Sequence, residues 1–196
     1  AQALKKVRVA AAPKLCDAVT KQMSHLQMGS AQIELNFEDL PFEQWNKVGS
    51  TKIELMYKPS AQMTARPLRK IASGGEVSRV MLACKVVLGE SDVCDTLVFD
   101  EVDAGVGGAT AVALAEVLAQ LAKTHQVIVV THLPQVAVMA SKQYVVSKTE
   151  EHNALPITSL TEVSGTQREE EIARMLSGSI TEASLAHAHE LLSEVR

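Results

Sequence analysis

The feature that most constrains the fold is a central segment in which an apolar strand, a helix and a second apolar strand follow one another. The run TLVF, in a strand predicted at 95–100, is typical of a strand buried on both faces. Helical periodicity follows at 107–123, and the apolar run at 126–131 predicts the second strand. A single helix between two strands makes a right-handed βαβ unit with parallel strands. The segment therefore predicts an α/β fold built on a parallel sheet.

Polar side chains follow both strands at the point where each strand ends. Asp100 and Glu101 close the first strand, Asp103 lies two residues further on, and His132 follows the second strand. Ligands bind at the carboxyl edge of parallel strands, so we expect Asp100, Glu101 and His132 to share that edge. Carboxylates there suit Mg²⁺, which takes one or two of them together with phosphates, and a nearby histidine can polarise a phosphate or a water. The alternative is that the acidic residues only decorate a loop and cap the next helix.

A second candidate site is the start of the helix predicted at 75–89, in the stretch ASGGEVSRVML. Ser73 and Glu76 have the spacing of a capping box. Gly74 and Gly75 need a further reason, because glycine inside a helix costs roughly 1 kcal/mol relative to alanine. The usual reason is that a group approaches the backbone closely, and free amides at a helix N-terminus attract an anion. The stretch therefore predicts a phosphate site, with simple capping as the alternative.

The glycines after the first strand could be taken for a dinucleotide fingerprint, since Gly105, Gly107 and Gly108 follow a strand and precede a helix. The third glycine of that motif would fall on Thr110, and the preceding carboxylates would repel a pyrophosphate. An acidic ribose contact is expected about 20 residues further on, where this chain has His125. These observations argue against an NAD-binding enzyme.

The remaining elements surround this centre. Residues 1–28 predict a basic helix, 31–37 and 51–57 predict half-buried strands joined by a loop too long for a tight hairpin, and 58–70 form a basic connector. Beyond 131 the patterns predict a short helix in HLPQVAVMA, strands in QYVVSKT and ALPITSLTEV, and helices at about 167–176 and 181–195.

Composition limits the kinds of partner and compartment. The net charge of −4 is not that of a nucleic-acid binder as a whole, although the basic helix could contact DNA phosphates instead of being a solvated face. No run of 18 apolar residues predicts a membrane span, and no secretory signal opens the chain. The three cysteines lack metal-ligand or CxxC spacing, which fits a reducing cytosol, and we expect each thiol to be buried and inert.

These motifs together resemble those of ABC-type ATPases. SGGE is similar to their signature motif, TLVFDE to the Walker B strand with its catalytic glutamate, VDAGVGG to the D-loop, and VVTH to the histidine switch. ABC transporters have a proline after that glutamate, whereas this chain has Val102, which favours the SMC-like DNA-repair ATPases. The resemblance covers about residues 30–176. It implies the C-terminal lobe of an ABC-type (P-loop NTPase) head, a parallel-sheet core with flanking helices.

The resemblance also implies a domain organisation. Residues 1–28 would be the end of a returning coiled-coil arm, 29–70 would supply strands and a connector, and 71–196 would form the ATPase lobe. The P-loop pattern G-x-x-x-x-G-K-[ST] occurs nowhere, since no Gly-Lys pair exists in the chain. We therefore expect a partner, the N-terminal half that carries the P-loop, and no ATP hydrolysis by this chain alone.

ATP and Mg²⁺ are the cofactors that the resemblance implies. Asp100 would hold Mg²⁺ through its waters, Glu101 would act as general base on the attacking water, and His132 would contact the γ-phosphate. The signature residues Ser73, Gly74, Gly75 and Glu76 would bind the γ-phosphate of a nucleotide held by the opposite subunit, and Asp103 would help to join the two subunits.

The implied function is ATP binding and hydrolysis at a homodimer interface, acting on double-stranded DNA in the repair of double-strand breaks by recombination. The expected location is the bacterial cytoplasm, at the nucleoid, without membrane contact. The alternative from another class is an ABC-like module that dimerises or docks a partner without turnover.

Overall fold

The computed structural model describes residues 1–91, 94–149 and 156–195. It divides into two compact units. The first comprises Ala1–Val106 and Gln120–Val130, and the second comprises Gly107–Ala119 and Thr131–Arg196. This division is a structural one, and the three functional segments at 1–28, 29–70 and 71–196 stay a prediction.

The first unit opens with a long helix packed on a β-hairpin. Helix α1 (Gln2–His25) contacts strand β1 (Gln32–Asp39), which pairs antiparallel with β2 (Thr51–Lys58). The alternation of apolar and polar residues places Ile33 opposite Tyr57, and both are almost fully buried. The predicted helix and both predicted strands are confirmed.

The two segments around β2 contain more structure than the sequence patterns indicate. The loop between β1 and β2 holds a 3₁₀ turn, Phe42–Gln44, and a tighter turn closed by paired residues Asn46 and Gly49. The predicted connector contains a short strand, β3 (Arg66–Pro67), which extends the hairpin to three strands. The sequence does not predict this strand for two reasons. Proline argues against a strand unless it lies at the edge of a sheet, and two residues are too few to show an alternating pattern.

The remaining part of the first unit carries the predicted parallel strands. Helix α2 (Gly74–Leu88) precedes β4 (Thr96–Phe99), and β4 pairs parallel with β5 (Gln126–Val129), with Phe99 opposite Val129. Both strands therefore end at the same edge, as predicted.

The expectation that TLVF is buried on both faces is wrong. Leu97 and Phe99 are 6% exposed on one face, whereas Val98 is 66% exposed on the other and its neighbour Ile128 is 47% exposed. A two-stranded sheet covered on one side leaves the alternate residues in solvent.

The second unit consists of helices and one hairpin. Its elements are α3 (Ala109–Leu121, within this unit as far as Ala119), α4 (Pro134–Ala137), β6 (Gln143–Thr149), β7 (Ile157–Val163), α5 (Gly165–Ser177) and α6 (Glu182–Glu194). Strands β6 and β7 are antiparallel. All of these elements were predicted; residues 154 and 155 of the last predicted strand lie outside the described residues.

The core of the second unit lies where α4, α5 and α6 meet. Ala137, Val138, Ile172, Ala173 and Ala188 form a buried cluster. A capping box starts α6, in which Thr181 Oγ1 accepts from the Ser184 amide and Ser184 Oγ accepts from the Thr181 amide. The amphipathic pattern of these helices thus accounts for their packing.

The expected burial of the cysteines is partial at two positions and wrong at the third, and their inertness stays a prediction. Cys16 and Cys84 are partly buried, and burial raises the pKa of the Cys84 thiol to about 11. Cys94 is exposed, because it lies just before β4 and not within an element. None of the helices in the described ranges has both the length and the apolarity that a bilayer crossing requires.

Candidate functional site

Helix α2 begins with the predicted cap. Ser73 has extended backbone dihedrals, and its hydroxyl oxygen accepts a hydrogen bond from the Glu76 amide at 3.3 Å. This is one of the two hydrogen bonds of a capping box, and it satisfies one of the amides that a helix start leaves open. Local sequence therefore fixes where α2 starts.

Gly75 is buried because a loop of the same unit packs against it. A Cβ atom built at this position would lie 2.9 Å from the Ala104 Cβ and 3.1 Å from the carbonyl oxygens of Glu101 and Ala104. The expectation of a close approach is confirmed, but the approaching group is the loop that follows β4. This contact explains Gly75 without any ligand.

Gly74 differs from Gly75 because it is exposed. A Cβ atom there would overlap the Glu101 carboxylate, whose carboxyl carbon would be 3.6 Å away. The carboxylate thus lies at the positive end of the α2 dipole, which favours a negative charge. In this conformation, the Glu101 carboxylate lies beside Gly74, where a phosphate at the start of α2 would meet its negative charge.

The loop after β4 carries the predicted acidic residues in different environments. Asp100 and Glu101 are exposed, and Glu101 has a φ of +56°, which is uncommon for a residue with a side chain. The Ala104 amide donates to the Glu101 carbonyl at 3.0 Å and closes a turn around it. Both side chains are therefore accessible at the carboxyl edge of the sheet.

Asp103 is buried, with 3% of its surface exposed. Asp103 is shielded from solvent in this conformation, whereas a role in joining two subunits needs an accessible side chain. The role of Asp103 therefore stays a prediction, and this loop conformation does not favour it.

Sequence patterns missed two residues that hold this loop. Ser78 Oγ donates to the Asp100 carbonyl at 2.9 Å, and Arg79 Nη1 donates to the carbonyls of Ala104 at 2.9 Å and Val102 at 3.3 Å. Both residues stand directly after the signature stretch. A serine and an arginine on an early helical turn look like ordinary solvated residues, so no local signal identifies their role.

His132 belongs to the second unit and is exposed. It lies three residues beyond β5, in a turn where Thr131 Oγ1 accepts from the Leu133 amide at 3.0 Å. The strand ends come together as predicted, whereas a contact between His132 and the carboxylates stays a prediction.

Some basic residues of α1 make contacts within the first unit. Lys5 forms an ion pair with Asp39 at 2.6 Å, and Arg8 donates to the Val48 carbonyl at 2.7 Å. Lys6, Lys14 and Lys21 are exposed. Contact between these lysines and DNA phosphates stays a prediction.

The acidic side chains at this site could supply only part of the coordination shell of a Mg²⁺ ion. Among the described residues, no group of three or more histidine, cysteine or acidic side chains forms a ready-made metal site. Asp100 offers one exposed carboxylate, which suits an ion that keeps most of its waters and binds substrate phosphates. Most of the ligands of such an ion would have to come from water and a nucleotide.

The chain is similar over nearly its whole length to curated DNA repair proteins named RecN. It is 40% identical to RecN of Streptomyces coelicolor over an alignment covering 100% of this chain and 36% of that relative. It is 43% identical to RecN of Deinococcus radiodurans, covering 98% of this chain and 33% of that relative. The chain thus spans about a third of the length of the curated relatives it matches. No protein-family model matches it.

Solved structures with a similar fold are heads of SMC proteins. An Smc head domain with a coiled coil from Pyrococcus yayanosii has a TM-score of 0.57 and 17% identity, covering 83% of this chain and 29% of that chain. A structure from work on ATP-driven dimerization and DNA-stimulated activation of SMC ATPases has a TM-score of 0.52 and 18% identity, covering 88% of this chain and 98% of that chain. At such identities the likeness concerns the fold alone, and it is the mixed α/β fold of SMC head structures.

Three observations point to the same family: the motifs in the sequence, the parallel strand pair, and the similarity to RecN along the whole of this chain. By this agreement the chain belongs to the RecN family of DNA repair proteins and corresponds to their C-terminal part.

Proposed function

We propose that this chain forms part of an ATPase that binds and hydrolyses ATP where two heads meet, and that this activity serves the repair of DNA double-strand breaks by recombination. The observation that carries the proposal is the arrangement at the end of β4. Two exposed carboxylates, Asp100 and Glu101, stand at the carboxyl edge of a parallel pair, beside the open N-terminus of α2.

Each residue has a distinct part in the proposed reaction. When bound, ATP with Mg²⁺ would supply the phosphoryl group and the neutralising charge. Asp100 would hold Mg²⁺ through its waters, Glu101 would accept the proton of the attacking water, and His132 would contact the γ-phosphate. Such a transfer needs mainly positioning and charge stabilisation, and little covalent chemistry from the protein.

The signature residues act on the other side of the interface. Ser73, Gly74 and the free amides of α2 bind the γ-phosphate held by the partner subunit, while Glu76 stabilises the helix start. The Glu101 side chain must first turn away, because a carboxylate and a phosphate repel each other in front of Gly74. Its exposure leaves room for that movement.

A partner that carries the P-loop is proposed on two observations. The sequence contains no Gly-Lys pair, so a Walker A loop has to come from an N-terminal half. The apolar residues Val98, Ile128 and Val130 are 66%, 47% and 58% exposed along the β4–β5 sheet. Parallel sheets are usually covered on both faces, so this face suits further strands or helices of that half.

Double-stranded DNA is proposed as the second partner, at the exposed lysines of α1. Lys6, Lys14 and Lys21 could neutralise phosphates, which would make binding depend on salt. The proposed location is the bacterial cytoplasm at the nucleoid.

The test mixes this chain with an N-terminal half that carries the P-loop and measures ATP turnover with and without double-stranded DNA. Neither half alone should turn over ATP. Glu101→Gln and Ser73→Arg should each abolish activity in the mixture. Because the proposed site is shared by two subunits, an equimolar mixture of the two variants should recover part of it.

A non-catalytic interaction module makes the opposite prediction. In that case the mixture would pair without turnover, and Glu101→Gln would change nothing. Turnover by this chain alone that Glu101→Gln abolishes would instead contradict the need for an N-terminal half.

A further inference from the structure

We propose that Ser78 and Arg79 of α2 are positioning residues that hold Glu101 in its left-handed backbone conformation and thereby link the start of α2 to the proposed general base. This inference rests on the proposed function for the role of Glu101. The hydrogen bonds themselves do not depend on it.

The two residues bracket Glu101 along the chain. Ser78 donates to the carbonyl of Asp100, the residue before Glu101, and Arg79 donates to the carbonyl of Val102, the residue after it. Peptide groups on both sides of Glu101 are therefore oriented from one helix.

A left-handed residue that is not glycine persists only where its surroundings determine it. The φ of Glu101 is +56°, a backbone conformation that glycine adopts without strain but that is costly for glutamate. The turn from the Ala104 amide to the Glu101 carbonyl, at 3.0 Å, contributes from within the loop. The side chains of Ser78 and Arg79 contribute from outside it.

Arg79 also extends the connection along the loop. The same nitrogen donates to the Ala104 carbonyl at 2.9 Å, and Ala104 lies against Gly75. The guanidinium group is always charged, and its Nη1 carries two N–H donors, so this one nitrogen can serve both carbonyls. The loop therefore contacts α2 at two points, through Gly75 and through Arg79.

The consequence concerns how the two proposed roles communicate. A displacement of α2 moves the carbonyls on both sides of Glu101, because its side chains hold them. Binding of a phosphate at the start of α2 should therefore change where the Glu101 carboxylate can reach.

The first test is hydrogen exchange on this chain, which needs no ATP turnover. Arg79→Ala removes two hydrogen bonds, and the loss of one typically raises the equilibrium constant for local opening about tenfold or less. The exchange rates of the Ala104 and Val106 amides should therefore rise about tenfold. Ser78→Ala should raise it less, and the amides of β1 and β2 should not change. Arg174→Ala is the matched control, since it removes an exposed helical arginine paired with Glu171.

The second test measures ATP turnover with the N-terminal half present. Arg79→Ala should lower kcat about 10-fold to 100-fold and leave KM for ATP within about threefold, because positioning affects the reacting geometry more than substrate binding. Arg79→Lys should recover part of kcat, because one nitrogen contacts both carbonyls and an ammonium can replace it.

Unchanged loop exchange in both Arg79→Ala and Ser78→Ala would overturn the positioning role. A kcat within about twofold of wild type for Arg79→Ala, while Glu101→Gln is inactive, would overturn the link to the general base. Full activity of Glu101→Gln would refute the proposed function instead, and the exchange result would still decide whether the loop is held from α2.

Discussion

Substituting the two neighbouring glycines at the start of α2 should give opposite results for stability. At Gly75, an alanine Cβ would lie 2.9 Å from the Ala104 Cβ, whereas carbon atoms pack best at about 3.5–4.0 Å, so the overlap is about 0.6 Å or more. Two backbone carbonyl oxygens at 3.1 Å flank the same space. Backbone atoms cannot rotate away as a side chain can, so the loop itself would have to move.

The expected magnitudes follow from two opposing terms. Overpacking typically costs about 1–3 kcal/mol, while replacing glycine by alanine in a helix gains up to about 1 kcal/mol. Taking off the full gain, Gly75→Ala should therefore lower the free energy of unfolding by up to about 2 kcal/mol. Gly74→Ala meets only the end of the flexible Glu101 side chain, so it should be neutral or raise that free energy by up to about 1 kcal/mol.

The assay is urea unfolding of this chain followed by far-UV circular dichroism. With a slope of about 1–3 kcal/mol per molar urea, the two variants should differ in midpoint by about 1 M, with Gly75→Ala lower. Gly107→Ala is the control, because a Cβ there would meet nothing within 4 Å. A Gly75→Ala midpoint equal to or above that of Gly74→Ala would refute the packing explanation for Gly75.

Three further predictions concern other parts of the chain. Cys94 should react with iodoacetamide at pH 8 at least about tenfold faster than Cys84, since Cys94 is exposed and burial raises the pKa of Cys84 to about 11, and peptide mass spectrometry showing Cys84 modified first would contradict this. The Arg69 hydrogen bond lowers the pKa of Glu54, so Glu54 contributes stability above its unfolded pKa, and this contribution is lost as pH falls through its lower folded pKa. Arg69→Ala should raise the pKa of Glu54 in an NMR titration, and an unchanged value would disprove the pairing. Val98→Glu should leave the circular dichroism of this chain unchanged, because Val98 is 66% exposed, yet weaken its binding to the N-terminal half in a pull-down; unimpaired binding would exclude this sheet face as the contact.

The sequence allowed prediction of the elements whose pattern is local. Strands β4 and β5 and the helix between them were predicted because apolar runs and helical periodicity need no knowledge of distant contacts. Their parallel pairing followed from the single helix between them, which returns the chain to the starting end of the sheet. The cap at Ser73 followed from its own spacing to Glu76.

Contacts between distant residues were not predictable in the same way. Nothing in the sequence indicates that Asp103 is buried while its neighbours Asp100 and Glu101 are exposed, since all three are acidic residues of one loop. The role of Arg79 likewise depends on carbonyls more than 20 positions away in the sequence. Which face of β4 is exposed depends on the elements that cover the sheet, and this cannot be predicted from the apolar residues of the strand alone.

The pair of glycines shows how one motif can meet two physical demands. The second glycine is required by packing inside the unit, so it would be needed in a protein that never bound a nucleotide. The first is exposed, and among the described residues the only side chain that its Cβ would disturb is a carboxylate that can move. A phosphate that reached the start of α2 would therefore compete with Glu101 for the same positive helix end, where only one negative charge can be accommodated at short range. Because Ser78 and Arg79 tie the backbone of Glu101 to α2, that backbone follows α2, and rotation of the Glu101 side chain relative to α2 resolves the competition and frees the proposed general base when a phosphate binds.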